Sequence, residues 1–251
     1  MYRFNSRIKK IESIVIVLSL LFVSCSGEES LIKESDLQQA APILNDDSDI
    51  NNGPSYSYLA LGDSYTVGTG IAQESAFPYQ LKEDLQKKNI NISEVTIIAQ
   101  NGWTTSQLLN AIENQDPVNH DFVSLLIGVN NQFQRLAFDI FKIEFVQLLE
   151  KALDASGDKR RVIVISIPDY SVTRLKSSDE TTSNEIDMYN TFIEQQCIEN
   201  GIAYIDITSI SRNLAATKGA LSSDGLHPSA FQYAKWVELI CPFIEDFLKD
   251  N

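Results

Sequence analysis

The sequence predicts a three-layer α/β/α sandwich around a five-stranded parallel sheet. Two observations lead to this fold class. Five short runs of apolar and β-branched residues alternate with segments whose apolar residues have helical spacing. The runs are also apolar almost throughout, which is typical of strands that helices cover on both faces. Five strand–helix units in succession indicate a doubly wound sheet.

The predicted elements follow one another along residues 56–251. Strands are expected at 56–61, 95–99, 122–127, 161–167 and 203–207. Helices are expected at 78–88, 104–113, 136–153, 184–199 and 230–248. Right-handed crossovers then give the strand order 2-1-3-4-5. Residues 56–251 are long enough and apolar enough to form one domain with its own core.

The first 24 residues have the pattern of a signal peptide. Four basic residues precede an apolar stretch at 14–23, and these are Arg3, Arg7, Lys9 and Lys10. That stretch is too short to cross a membrane, which takes about 20 apolar residues. Residues 21–25 resemble a bacterial lipobox, which implies that Cys25 becomes the lipidated first residue of the mature protein. An ordinary signal peptide that happens to end near a cysteine is the alternative.

Residues 25–55 are expected to be a flexible acidic tether behind the lipidated cysteine. They show no apolar periodicity, and such a segment cannot bury enough apolar surface to fold alone. The predicted location is therefore the bacterial cell envelope, with a lipid anchor in the membrane, most simply the outer membrane. The whole chain has a formal charge of −14, and removing residues 1–24, whose net charge is +3, leaves −17. A charge of this sign argues against nucleic acid as a partner.

Polar, turn-forming clusters follow three of the strands and precede the last helix. They lie at 62–64, 100–103, 128–131 and 224–227. In a doubly wound sheet, ligands bind beyond the carboxyl ends of the strands. We therefore expect these four clusters to meet at one edge of the sheet.

Two of these clusters contain the residue types of a serine hydrolase. Ser64 follows the first strand, and Asp224 stands three residues before His227. Attack by a serine hydroxyl needs a base to take its proton and a carboxylate to orient that base. The second histidine, His120, precedes the third strand and so belongs to the opposite edge of the sheet. The sequence predicts Ser64 as nucleophile, His227 as general base and Asp224 as its orienting acid.

The clusters together resemble those of the SGNH or GDSL hydrolases, named for residues found in four separate blocks. Ser64, Gly102, Asn130 and His227 match the four blocks in order, and Gly128 and Asp224 match as well. The resemblance covers residues 56–251. It implies a flavodoxin-like fold and the hydrolysis of carboxylic esters. One position departs, because Asn131 stands where the family usually has a loop-bracing aspartate, and we expect its exchange for Asp to be nearly silent.

The same clusters supply donors for a tetrahedral oxyanion and apolar groups for a pocket. The expected donors are the backbone N–H groups of Ser64 and Gly102 and the side-chain amide of Asn130. A glycine at position 102 lets the backbone approach the substrate closely. The aromatic residues expected to line the substrate pocket are Trp103, Phe133 and Tyr170.

Each site residue also has an ordinary structural interpretation. Ser64 could cap the following helix, the glycines and Asn130 could form turns, and residues 224–227 could be a surface loop. The rival function is a non-catalytic lipoprotein that binds a ligand on the same fold. Phosphate-binding loops and metal-ligand spacings are missing from the sequence, so no cofactor or metal is expected. The expected partner is an ester of a small molecule, polysaccharide or lipid, bound by a monomer.

Two cysteines remain after Cys25, and we expect both to be free thiols. Cys197 falls in the helix before the fifth strand, and Cys241 falls in the last helix. The predicted topology places these two helices on opposite faces of the sheet. That separation exceeds the Cα distance of about 7 Å that a disulfide allows.

Overall fold

A five-stranded parallel sheet runs through the described part of the chain, which is residues 54–173 and 179–249 of a computed structural model. The strands are β1 (Ser55–Gly62), β2 (Asn91–Ala99), β3 (Phe122–Leu126), β4 (Val162–Ile165) and β5 (Ala203–Ile205). Their order is β2-β1-β3-β4-β5, and every neighbouring pair is parallel. The predicted fold class and strand order are therefore confirmed.

The burial of the strands explains their apolar sequences. All residues of β3 and β4 are buried, as are the last five of β1, because these strands have neighbours on both sides and helices on both faces. The edge strand β2 begins four residues earlier than predicted. Its first residues are mostly polar, yet their backbone pairs with β1, with Ser55 opposite Asn91. Backbone pairing does not need an apolar side chain, so the sequence pattern missed this part.

Eight helices of the described residues surround the sheet. They are α1 (Ser64–Val67), α2 (Phe77–Lys87), α3 (Thr105–Gln115), α4 (Val129–Phe133), α5 (Phe138–Ser156), α6 (Glu180–Asn200), α7 (Thr208–Leu214) and α8 (Ala230–Lys249). Short 3₁₀ turns occupy Gln73–Ser75, Lys159–Arg161 and Tyr170–Val172. The five long helices were all predicted. The short helices α1, α4 and α7 were not, because seven residues or fewer show little periodicity.

The helices form two layers, and each has an aromatic core. Helix α2 packs against α8, while α5 packs against α3 and α6. In the first layer the rings of Tyr233 and Trp236 lie 4.8 Å apart. In the second, the rings of Phe141 and Tyr189 lie 4.4 Å apart. These packed layers hold the strand ends, and with them the loops of the site, in fixed positions.

Cys197 on α6 and Cys241 on α8 are both buried and free, as predicted. The helices that carry them belong to different layers, so no disulfide joins them. Burial raises the pKa of the Cys197 thiol to about 12 and also raises the pKa of Cys241. Both side chains therefore stay protonated near neutral pH and pack as small apolar groups.

The N-terminal predictions concern a part of the chain that the structure does not describe. The signal peptide at 1–24, the lipidation site Cys25 and the tether as far as residue 53 lie outside the described residues. Strand β1 begins at Ser55, one residue before the predicted start of the domain. Among the described helices, none is both long enough and apolar enough to cross a membrane.

Candidate active site

Ser64 lies at the carboxyl end of β1, where the chain turns into α1. It is the first residue of that helix and is 7% exposed. The N-cap is Asp63, whose Oδ1 accepts a hydrogen bond from the Tyr65 N–H at 3.0 Å. The capping interpretation of Ser64 is therefore wrong, and its hydroxyl is left for another partner.

Asp224 and His227 lie in a short hairpin immediately before α8. Leu221 and Pro228 close this hairpin with an antiparallel bridge. Inside it, the Ser222 N–H donates to the His227 carbonyl at 2.8 Å. The two side chains are thus held on one tight turn, which an Asp-x-x-His spacing alone does not reveal.

Ser64, His227 and Asp224 form one continuous hydrogen-bonded chain. His227 Nε2 lies 2.9 Å from Ser64 Oγ, and His227 Nδ1 lies 2.7 Å from Asp224 Oδ2. A carboxylate can only accept, so Nδ1 carries a hydrogen and Nε2 of the neutral ring accepts from the serine hydroxyl. The arrangement is that of a nucleophile, a general base and an orienting acid.

The surroundings of Asp224 keep it ionised. Partial burial opposes its charge, but three groups more than offset this by donating to Oδ1. They are the backbone N–H of Leu226 at 2.8 Å, the backbone N–H of His227 at 3.0 Å and the Ser222 hydroxyl at 2.7 Å. Together with the His227 ring they hold the pKa of Asp224 well below its usual range. A carboxylate fixed at this distance holds the imidazole ring in one orientation, with the hydrogen on Nδ1.

The predicted oxyanion donors lie around the same serine. Gly102 has a φ of +82°, which favours glycine, and a Cβ at this position would point into open space. The backbone N–H groups of Ser64 and Gly102 form no hydrogen bond to another described residue. Asn130 Nδ2 donates to the Trp103 carbonyl at 2.9 Å. An amide nitrogen has two hydrogens, so this bond orients the Asn130 side chain and leaves one hydrogen for a ligand.

Asn131, the position that departs from the family pattern, is completely buried. Its Oδ1 accepts from the Thr105 N–H at 3.0 Å, and its Nδ2 donates to the Thr105 hydroxyl at 2.6 Å. The side chain therefore ties α4 to the start of α3, so the residue at this position braces a loop in this chain as well.

A cavity of about 170 Å³ opens beside Ser64 and His227. Most of the surface that lines it is apolar, from residues such as Val129, Leu226, Phe133 and Tyr170. The Phe133 and Tyr170 rings meet edge-on at 5.8 Å. Trp103 is not among the lining residues, because its side chain packs partly buried against the core. Sequence reasoning missed Leu226 and Val129, which are apolar residues without a motif of their own.

A larger groove of about 660 Å³ lies on the other side of the Phe133–Tyr170 pair. Polar side chains such as Gln132, Arg135 and Glu185 line it beside apolar ones. Gln132 joins Tyr170 to α6, since its Oε1 accepts from the Tyr170 hydroxyl at 2.8 Å and its Nε2 donates to Glu185 at 2.5 Å. The aromatic pair is therefore a shared wall between an apolar cavity and a more polar groove.

Asp169 fixes the loop that carries Tyr170. Although it is fully buried, its carboxylate accepts from the Ser171 N–H and the Ser183 hydroxyl, and it pairs with Arg212 at 2.9 Å. Burial opposes the charge, but these donors lower the pKa of Asp169 below its ordinary value. The residue lies at the correct edge of the sheet, yet its contacts serve the loop.

Several solved structures share this fold. The lipase Lip_vut3 from a goat rumen metagenome is 22% identical, with 75% of this chain and 97% of that chain covered and a TM-score of 0.62. A lipase/acylhydrolase from Enterococcus faecalis is 19% identical, with 76% and 96% covered and a TM-score of 0.60. Axe2, an acetylxylan esterase from Geobacillus stearothermophilus, is 19% identical, with 75% and 94% covered and a TM-score of 0.60. At these identities the likeness establishes the fold alone.

A sequence search of curated proteins gave no significant match. The model of the GDSL-like lipase/acylhydrolase family, by contrast, matches residues 60–235, which is well over half of the chain. This range begins inside β1 and ends in α8, so it contains every residue of the hydrogen-bonded chain described above. The chain belongs to the GDSL-like lipase/acylhydrolase family and is a hydrolase of the SGNH type.

Proposed function

We propose that this protein is a serine esterase that hydrolyses carboxylic esters through Ser64, His227 and Asp224. The observation that carries the proposal is the chain of contacts from Ser64 Oγ through the His227 ring to the Asp224 carboxylate. It opens onto a cavity large enough for an acyl group. A ligand-binding lipoprotein on the same fold is the rival function, but such a protein has no need of a base beside the serine.

In the proposed reaction, Ser64 Oγ attacks the ester carbonyl carbon while His227 Nε2 takes the hydroxyl proton. The tetrahedral intermediate collapses as the alkoxide leaves, and His227 returns the proton to that leaving oxygen. Water then attacks the acyl-serine, again giving its proton to His227, and the carboxylic acid departs as Ser64 regains its proton. Asp224 remains ionised throughout and keeps the imidazole oriented.

The oxyanion of each intermediate is proposed to lie among the Ser64 N–H, the Gly102 N–H and the second hydrogen of Asn130 Nδ2. The two backbone donors have no other acceptor among the described residues, which supports this role. Each such donor contributes about 3 kcal/mol when it binds charge that develops in the transition state.

The two cavities suggest how an ester would be divided between them. The apolar space of about 170 Å³ is smaller than the roughly 300 Å³ at which pockets for drug-sized ligands begin, so it suits an acyl group of a few carbons. The groove of about 660 Å³ beyond Phe133 and Tyr170 suits the larger, more polar alcohol. The proposed substrate is a short-chain acyl ester of a polar alcohol.

The test compares Ser64→Ala with Ser106→Ala, a matched change at an exposed serine on α3. Wild type and Ser106→Ala should hydrolyse p-nitrophenyl acetate and butyrate, with activity falling for chains of eight or more carbons. Ser64→Ala should be reduced to background while keeping its unfolding midpoint. A fluorophosphonate probe should add once, at Ser64. Turnover that survives in Ser64→Ala, or a probe adduct on another serine, would refute the assignment.

We also propose that the protein is exported and held in the cell envelope by a lipid on Cys25. The basic residues and apolar stretch of the first 24 residues support this, together with the lipobox-like 21–25. Cys25→Ala should move the full-length protein from the membrane fraction to the soluble fraction. An unchanged distribution would contradict the anchor.

A further inference from the structure

Two of the three proposed oxyanion donors, Gly102 and Asn130, lie on segments that polar contacts join, namely residues 102–105 and the α4 segment. Asn130 Nδ2 donates to the Trp103 carbonyl at 2.9 Å, and Gln134 Nε2 donates to the Gly102 carbonyl at 3.3 Å. The paired bonds between Asn131 and Thr105 complete the connection. The position of Asn130 relative to Gly102 therefore depends on how firmly these contacts hold.

The hydrogen atoms of the Asn131–Thr105 contact have only one consistent arrangement. The Thr105 N–H can only donate, so the atom it meets at 3.0 Å is Asn131 Oδ1. Asn131 Nδ2 can only donate, so at 2.6 Å the Thr105 hydroxyl oxygen is its acceptor. The hydroxyl has one hydrogen, and it goes to the carboxylate of Glu144 on α5, which the Thr105 hydroxyl contacts directly.

We propose that Glu144 is a positioning residue for the oxyanion hole, acting through Thr105 on Asn131, and that its carboxylate is what makes an amide necessary at position 131. The proposal rests on the proposed function for its catalytic consequence. Asn131 and Thr105 are both completely buried, so a change of hydrogen-bond direction there has no access to water for compensation.

A carboxylate at position 131 would break this arrangement. In Asn131→Asp, one oxygen would still accept from the Thr105 N–H, but the other would face the Thr105 hydroxyl oxygen, whose only hydrogen already goes to Glu144. Two carboxylates would then compete for one hydrogen. If that hydrogen stays with Glu144, one oxygen of the new aspartate is buried without a donor, and if it turns to the aspartate, the half-buried Glu144 loses its partner. The proposal therefore predicts a larger effect of Asn131→Asp than the nearly silent exchange expected from the sequence.

Replacing Glu144 by glutamine should remove the competition. In the double variant Asn131→Asp/Glu144→Gln, the new amide can donate to the Thr105 hydroxyl oxygen, and the hydroxyl hydrogen is free for the introduced carboxylate. The two hydrogen bonds at the Thr105 hydroxyl are then reversed: it accepts from the residue at 144 and donates to the residue at 131. Every buried polar group has a hydrogen-bond partner again. A purely steric role for Asn131 predicts no such rescue.

The experiment measures kcat, KM and the urea unfolding midpoint for wild type, Asn131→Asp, Glu144→Gln and the double variant. Asn131→Asp should lower kcat tenfold or more with KM changed less than threefold, and should lower the midpoint. Glu144→Gln should lower kcat slightly, because a neutral amide oxygen is a weaker acceptor than a carboxylate. The double variant should return to within threefold of the wild-type kcat. Asn131→Asp combined with Glu150→Gln, an exposed glutamate on the same helix, should show no rescue.

The inference is overturned if Asn131→Asp matches wild type, or if Glu150→Gln rescues as well as Glu144→Gln. If Asn131→Asp does not fold, the double variant decides alone: a folded, active protein supports the coupling and an unfolded one refutes it. The unfolding measurements need no substrate. They test the coupling between positions 131 and 144 even if Ser64→Ala shows that the esterase proposal has failed.

Discussion

Asp63→Asn should stabilise the protein relative to wild type at alkaline pH but not at acid pH. Asp63 is fully buried between β1 and α1. Its Oδ1 accepts from the Tyr65 N–H, but its Oδ2 has no hydrogen-bond partner among the described residues. Burial is the main cause that raises the pKa of this carboxyl from 3.8 to about 7, against the lowering effect of the Tyr65 bond.

The sign and size of the effect follow from this shift. Between about pH 4 and pH 7 the folded protein keeps a proton on Asp63 that the unfolded chain has lost. The contribution of Asp63 to stability is therefore most favourable below about pH 4, falls as pH rises toward 7 and then levels off. A rise of the pKa from 3.8 to about 7 corresponds to about 4 kcal/mol in total, of which roughly 3 kcal/mol is lost between pH 5 and pH 8. Asparagine resembles the protonated acid and does not ionise, so the variant avoids this loss.

The assay is urea unfolding of wild type and Asp63→Asn at pH 5 and pH 8. The two proteins should have similar free energies of unfolding at pH 5, and the variant should be more stable than wild type by roughly 3 kcal/mol at pH 8. Asp154→Asn, at an exposed position on α5, controls for the loss of one negative charge. A difference between wild type and Asp63→Asn that stays constant across this pH range would refute the reasoning.

Two further experiments test the site and the core. Asn130→Ala should lower kcat about a hundredfold with little change in KM, because its amide is proposed to act mainly on the developing oxyanion. Steady-state kinetics on p-nitrophenyl acetate measure this, and an unchanged kcat would make Asn130 only a turn residue. Cys197 and Cys241 should both react with a thiol-alkylating reagent in denaturant without reductant, since both are free. Intact mass measures this, and protection of both until a reductant is added would mean that they are bridged.

The sequence predicted what depends on local pattern and on general rules of topology. Apolar runs located the buried strands, and the handedness of crossovers gave the strand order. The position of Ser64 at the end of β1 and that of His227 before the last helix predicted that both lie at one edge of the sheet. Patterns of this kind do not say which side chain meets which partner across the fold. The contact of Asn131 with Thr105 and the packing of Trp103 against the core were therefore not predictable.

The missed start of β2 and the missed short helices also depend on contacts that the local sequence pattern does not show. The start of β2 is polar and is a strand only because β1 lies beside it. The short helices α1 and α4 are set by the turns that follow β1 and β3. Asp63 belongs to the cluster at 62–64 that the sequence pattern identified. That its Oδ2 is buried without a hydrogen-bond partner depends on how the chain packs around it, which the pattern does not show.

The hairpin closed by Leu221 and Pro228 holds two of the three residues of the hydrogen-bonded chain, and the third is far away in the sequence. The proposed acid and base lie on one four-residue turn, whereas the proposed nucleophile lies 163 residues earlier in the chain. The contact between His227 and Asp224 forms within one turn. The contact between His227 and Ser64 exists only while the last segment of the domain packs against the first segment. Reactivity of Ser64 toward an electrophilic probe is therefore a gauge of whether the two ends of the domain are joined. Displacement of the hairpin that carries His227 would separate the imidazole from Ser64 Oγ and lower that reactivity.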